Sequence, residues 1–381
     1  MTPMYRQIAD VLERRIRHGD YLLKDVPSGR TLAVELGVGH TVIRGAIDLL
    51  VGSGLLVRQA NGRYKAHLAA EHGTQPQSRI AFLAPAFASP FYDLCRIAVE
   101  HMARQSGACL RSVDYIHWDD AVIDDVLNTF DGVYLMPLPQ DMPRAVARRF
   151  AKAKCHVVTL EHDLTGDGIP CIDVFPVESL PPLFEHLADH GRRRVGCFNV
   201  QPEDAATRRR IQAWQAWLRG RGQTVQFIDE PVPLYGRTIS QARQVMGRLL
   251  AARALDCDAL FVTTGEAARG VIRALYDHGV AVGGDLLVGS VDDDGDARHL
   301  TPSLTAVELP DLQRLVWQTM AWIQDPGKAW DGALKVGAET PRLFIGETTR
   351  PVKQSDVEPT RNPARRQSAA VTAEHRRPVC A

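Results

Sequence analysis

Pro27-Ser28-Gly29-Arg30-Thr31-Leu32-Ala33-Val34-Glu35-Leu36-Gly37-Val38-Gly39-His40-Thr41-Val42-Ile43-Arg44 reads as two short helices joined by a tight turn. Ser28 is placed to cap a helix running to Leu36, because its hydroxyl can accept from the free amides of the first turn. Gly37-Val38-Gly39 supplies the turn, and Thr41–Leu50 resumes helical spacing with Val42, Ile43, Ala46, Ile47, Leu49 and Leu50 apolar. Upstream, Tyr5, Ile8, Val11, Leu12 and Ile16 set an earlier helix over 4–18. Downstream, Leu55-Leu56-Val57 and Arg63-Tyr64-Lys65 flank Ala60-Asn61-Gly62, and Asn-Gly between two β-prone runs signals a hairpin. Three helices and a hairpin within 1–68 predict a winged helix-turn-helix.

Composition places a nucleic-acid partner at this end of the chain alone. The 381 residues carry 45 Lys+Arg and 45 Asp+Glu. Residues 1–70 hold ten basic and six acidic side chains, and 351–381 hold six and three. With Glu71 between them, 79–350 carries a net charge of −6. A basic head on an acidic body favours DNA at the head. No run of about 18 apolar residues predicts a membrane span, and the charged N-terminus lacks a signal-peptide core. We therefore expect a cytoplasmic protein with no membrane partner. The seven cysteines form no CxxC and are read as reduced thiols, with no metal and no cofactor expected.

Residues 69–78 are polar and read as a linker, and the chain from 351 to 381 lacks an apolar period and reads as a disordered tail. Between them the pattern alternates. Strand-like runs at Ile80–Ala84, Gly132–Met136, Val157–Leu160, Val195–Asn199, Ala259–Thr263 and Leu286–Val291 are separated by helical stretches such as Phe91–Gln105 and Ser179–His190. Such alternation predicts parallel sheets covered by helices. At about 270 residues it exceeds one doubly wound sheet, so 79–350 is expected to be two-lobed, with ligands bound at strand carboxyl ends in the crevice.

Met4-Tyr5-Arg6-Gln7-Ile8, the 27–38 segment, Thr41-Val42-Ile43-Arg44 and Gly54-Leu55-Leu56, in that order, resemble the GntR-family DNA-binding domain. The resemblance implies that the helix bearing Thr41 and Arg44 enters the major groove and that Arg30 contacts phosphate. His40 and Thr41 offer polar groups at that helix's start, Arg44 can take guanine bidentately, and Asn61, Gly62 and Arg63 form a wing tip able to approach the backbone. The chain departs from the family at Gly39-His40, where Ser-Arg is usual, and at Gly29, where an acidic residue is common.

The body resembles the effector domain of LacI-family regulators, itself similar to periplasmic sugar-binding proteins. The similarity is carried by Ser89-Pro90-Phe91-Tyr92, Asp131–Leu135, His186–Gly196, Gly289–Asp293 and Ala297–Thr305. The combination resembles chimeric repressors of the arabinose-responsive type. It implies a dimer with a small-molecule effector, a sugar or sugar acid, between its lobes and a near-palindromic operator. By position, Phe91, Tyr92, Glu161, Asp173, Arg210, Thr264 and Asp292 match ligand contacts. Thr263-Thr264-Gly265-Glu266 replaces the family's Asn-Asp pair, which leaves open a body that dimerises without binding ligand. An enzyme is disfavoured, since no HExxH, GxSxG or P-loop occurs. A non-DNA sugar-binding transport protein is disfavoured by the head.

Overall fold

A computed structural model describes residues 3–17, 20–21, 25–66, 78–86, 89–189, 194–202, 204–233, 236–292, 294–325, 327–337 and 342–350. The expected tail 351–381 and all but Ser78 of the expected linker 69–78 lie outside the described residues.

The head comprises α1 (Met4–Arg17), α2 (Gly29–Glu35), α3 (His40–Gly52), β1 (Leu56–Arg58) and β2 (Tyr64–Ala66). Ser28 caps α2, its Oγ accepting from Thr31 N at 3.2 Å. Leu12, Ile16, Leu32, Ile43, Ala46 and Leu50 are buried together, so the apolar faces read from spacing do form one core. The hairpin tip is a three-residue loop between the paired Gln59 and Arg63. Gly62 N donates back to Gln59 O at 2.9 Å, and Gly62 takes φ +78°, a conformation that costs glycine little. Val26 pairs antiparallel with Tyr64 and extends the wing.

The body is two six-stranded sheets, parallel but for one edge strand. In lobe 1 the strand order is β13-β7-β6-β5-β3-β4. Its strands are β3 (Arg79–Pro85), β4 (Cys109–Tyr115), β5 (Gly132–Leu135), β6 (His156–Leu160), β7 (Cys171–Asp173) and β13 (Lys335–Gly337). In lobe 2 the order is β14-β12-β11-β10-β8-β9. Its strands are β8 (Val195–Asn199), β9 (Phe227–Asp229), β10 (Ala259–Val262), β11 (Leu287–Val291), β12 (Thr305–Val307) and β14 (Leu343–Phe344), the last antiparallel to β12. The inner strands β3, β5, β6, β8, β10 and β11 are the six that the apolar runs predicted. They are buried almost end to end, as parallel strands covered on both faces must be.

Helices α4 (Pro90–Gln105), α5 (Ala121–Thr129), α6 (Arg144–Ala151) and α11 (Leu312–Ile323) accompany the first sheet. Helices α7 (Pro181–Asp189), α8 (Ala205–Gly220), α9 (Thr238–Ala251) and α10 (Gly265–Asp277) accompany the second. The segment read as a helix from Ser179 begins at Pro181, after a single 3-10 turn over Val177–Ser179. Proline's fixed φ and missing amide suit the first helical position.

The chain changes lobe three times: after β7, after β12 and after β13. The carboxyl ends of both sheets therefore border one cleft. Arg111 on edge strand β4 meets Asp20 of the head at 2.9 Å, an ion pair joining head and body.

Substituting Ser28 by alanine removes the α2 cap and is expected to cost the head about 1 kcal/mol. Urea unfolding followed on the isolated transition of residues 1–68 checks this, and an unchanged midpoint would show that the cap contributes nothing.

Candidate functional site

The head exposes the polar and basic residues expected to meet DNA. Arg30, His40, Thr41 and Arg44 are all exposed, as are Asn61, Gly62 and Arg63 at the wing tip. Among the described residues Arg30 and Arg44 make no ion pair, whereas Arg63 pairs with Asp25 at 3.3 Å. The wing strands add exposed Arg58 and Lys65, which sequence reading did not single out. Their signal was available, since both flank the Asn-Gly turn. The two departures from the family pattern are neighbours. A Cβ at Gly29 would stand 3.3 Å from His40 Nε2, so a larger side chain on α2 would press the His40 ring.

The cleft between the lobes encloses a cavity of about 570 Å³. Lobe 1 contributes Phe91 and Tyr92 from the start of α4 and Glu161 from the end of β6. Lobe 2 contributes Arg210 from α8 and Thr264, the N-cap of α10. Asp173 and Asp292, also expected from position, are absent from the lining.

Glu161 anchors the floor. It is buried and holds a left-handed backbone, φ +62°, unusual for a residue with a side chain. Its Oε1 accepts from Val174 N at 2.5 Å and Phe175 N at 3.0 Å, which satisfies the first crossover's amides and fixes the strained conformation. Its Oε2 lies 3.7 Å from Arg210 and has no hydrogen-bond donor. Burial pushes this carboxyl above the usual range, and Arg210 opposes the shift. Arg210 Nη1 donates to Thr263 O at 2.9 Å, and its guanidinium lies 5.3 Å from the Phe175 ring centre. Phe175 in turn packs against Phe91 at 6.3 Å. Arg210 is therefore a strut between lobes as well as part of the cavity wall.

The remaining polar groups were missed by position matching. Gln201, two residues past the end of β8, donates to Thr264 Oγ1 at 2.7 Å. Thr264 Oγ1 also accepts from Ala267 N at 3.2 Å. Glu266 lines the cavity one residue beyond Gly265. Burial raises its carboxyl above the usual range, while hydrogen bonds from Thr238 and Gln201 act the other way. A carboxylate thus stands at the wall beside Gly265. Asp204 also lines the wall, its Oδ1 accepting from Thr207 N to cap α8. His162 beside it is held below the usual imidazole range, first by burial. The strand-end rule points to Gln201 and His162, each two residues past the end of its strand, β8 and β6.

The two outlying carboxylates have structural employment. Asp173 pairs with Arg209 at 3.5 Å and lies 4.0 Å from Lys335. Asp292 Oδ1 accepts from Ala297 N at 3.0 Å, pinning the loop after β11. Burial, reinforced by the Asp294 charge and opposed by the Ala297 hydrogen bond, pushes Asp292 up to about 6.

Comparison with known proteins follows this division. Residues 4–64 match the model of the gntR family of bacterial regulatory proteins, and 184–314 match the periplasmic binding protein-like domain. Among solved structures, a regulator assigned to the LacI family from Sanguibacter keddieii shares 24% identity at a TM-score of 0.57, covering 71% of this chain and 98% of its own. A periplasmic binding protein/LacI transcriptional regulator from Alkaliphilus metalliredigens, complexed with D-xylulofuranose, shares 18% at 0.58, covering 72% and 99%. The transcription regulator CcpA of Lactococcus lactis shares 17% at 0.58, covering 72% and 100%. Fold and family models define the class, a DNA-binding head on a two-lobed periplasmic-binding-protein-like body. The chain is a transcription regulator with a gntR-type head and a periplasmic-binding-protein-like body. No helix among the described residues is long and apolar enough to cross a membrane.

Asp292→Asn tests the loop role. A folded-state carboxyl near 6, above the ordinary value of about 4, makes folding take up a proton between those values. Its contribution to stability therefore falls as pH rises through that window. Asparagine keeps the acceptor for Ala297 N. The variant is expected to show a flatter stability profile there and no loss of stability at pH 7. Denaturant midpoints across pH check this, and an unaltered slope would remove Asp292 as its source.

Proposed function

We propose that this chain is a cytoplasmic homodimeric repressor that reads a near-palindromic operator and changes its DNA affinity when a small hydroxyl-rich molecule occupies the interlobe cavity. The observation that carries the reading is the pairing in one cleft of an aromatic wall, Phe91 and Tyr92, with hydrogen-bonding groups from the opposite lobe, Thr264, Glu266 and Arg210. Sugars need both, because a ring's apolar face stacks on aromatics while its hydroxyls take polar partners.

Charge refines the ligand class. Among the described residues the cavity is lined by Glu161, Asp204 and Glu266 and by Arg210 and Arg237, and Arg210 already answers Glu161. A neutral polyol or an amine-bearing sugar suits this balance better than a sugar acid. A body retained only as a dimeriser would have no use for a cavity lined this way. Two heads held by body contacts would meet two half-sites, with His40, Thr41 and Arg44 at base edges and Arg30, Asn61, Gly62 and Arg63 on the backbone. The effector would act through its different affinity for two lobe arrangements.

Two measurements test this. Arg44→Ala is expected to cost roughly 1–3 kcal/mol of specific affinity for duplexes selected from a random pool. Equal affinity of wild type and variant would remove α3 from the groove. A thermal-shift panel of pentoses, hexoses, amino sugars and sugar acids is expected to stabilise the protein with neutral or amino sugars. Stabilisation at a hundredfold excess over Kd corresponds to about 2.7 kcal/mol. Stabilisation by the acids alone would overturn the charge argument.

A further inference from the structure

Arg208, Arg209 and Arg210 follow one another near the start of α8, in the second lobe. Successive helix residues point about 100° apart, so three in a row fan out around the helix. Each nevertheless reaches a carboxylate of the first lobe. Arg208 pairs with Asp141, Arg209 pairs with Asp173 at 3.5 Å, and Arg210 lies 3.7 Å from Glu161. The first lobe therefore meets the start of α8 over a broad arc.

Arg209, unlike Arg210, does not line the cleft cavity. Its Nη2 donates to the backbone carbonyl of Glu161 at 2.9 Å. One guanidinium thus joins the ends of two neighbouring strands, β6 through Glu161 and β7 through Asp173. Glu161 carries the left-handed backbone, so the strained residue is also the one whose carbonyl receives the other lobe.

Asp173 has a second cation within its own lobe. Lys335 Nζ, on β13, lies 4.0 Å from Asp173 and 2.7 Å from Asp163. The Asp173 side chain is only 5% exposed, and its Oδ1 lacks a hydrogen-bond donor among the described residues. Burial pushes this carboxyl above the usual range, opposed first by Arg209 and then by Lys335. A carboxylate so buried is costly without a cation beside it. In the arrangement seen here Arg209 is the nearer. With the lobes parted, Lys335 stays beside Asp173, because β13 and β7 belong to one sheet.

We propose that Arg209 is a lock on the lobe angle: seated on Glu161 and Asp173 it holds the arrangement seen here, and as the lobes part Asp173 passes to Lys335. The exchange gives the body two arrangements in which the buried charge keeps a partner. The lock is independent of the reading given for the cleft. Only its consequence rests on that reading, since a cleft ligand would act by favouring one side of the exchange.

The test is a distance measurement by electron spin resonance on the full chain, free of ligand and DNA. Spin labels are carried by p-acetylphenylalanine placed at Lys152 and at Ala252, the exposed ends of α6 and α9 in the two lobes. Arg209→Ala is expected to shift the ratio of short to long distances about tenfold or more towards the long. Arg209→Gln, which fills more of the same space, is expected to shift it the same way and keeps the test intact if the alanine chain misfolds. Lys335→Met, at a position 48% exposed, removes the alternative partner and is expected to show no long-distance population. A purely structural pair of ion contacts would instead loosen the Arg209 and Lys335 variants alike. Unchanged distances in the Arg209 variants would overturn the proposal, as would lengthening in Lys335→Met.

Discussion

Glu161 is the point where both lobes and the first crossover meet. One carboxylate oxygen satisfies the amides of Val174 and Phe175, and the other lies towards Arg210, which reaches Thr263 in the second lobe. A buried charge without these partners would be costly, and so would the left-handed backbone that carries it. The arrangement forces β6, the crossover and α8 into register, and that register sets the cleft's floor. Phe175 and Phe91 pack outward from it with tilted rings, so the aromatic wall inherits its position from the same group. The oxygen Oε2, buried and without a donor, is the least satisfied part of this junction. A polar ligand group or a rearranged Arg210 could complete it, which makes the floor a natural place for occupancy and lobe geometry to be coupled.

The inner strands were legible in the sequence because burial on both faces demands continuous apolar runs, as in Ala259–Val262. The edge strands and the short strands beside them were not. β4 mixes Arg111, Ser112 and Asp114 among buried positions, β9 exposes Phe227 and Asp229, and β7, β12, β13 and β14 are two or three residues long. Such segments are strands because a neighbour's edge pairs with them, and that information lies elsewhere in the chain. The head was more legible, because Ser28, Gly37 and Gly62 act locally: a cap and two left-handed glycines mark its turns.

The candidate site divides similarly. Phe91, Tyr92, Glu161 and Thr264 stand at strand ends or helix starts, where the topology brings them to the cleft, and Arg210 reaches it from the second turn of α8. Asp292 also follows a strand, yet its side chain turns to the Ala297 amide, a choice made by the local loop and invisible to position matching. Gln201 and Glu266 enter because Thr264 and Thr238 orient them, a cooperation between segments far apart in sequence. The Gly265 substitution, read alone, suggested a lost ligand contact. In the fold the next residue, Glu266, lines the cavity.

The account rests on coupling between the cleft and the head, and reciprocity tests it directly. Operator affinity should be measured with and without a saturating cleft ligand, and ligand affinity with and without saturating operator. The account predicts that both change by the same factor, about fivefold or more. A ligand that binds the cleft tightly and leaves operator affinity unchanged would contradict it.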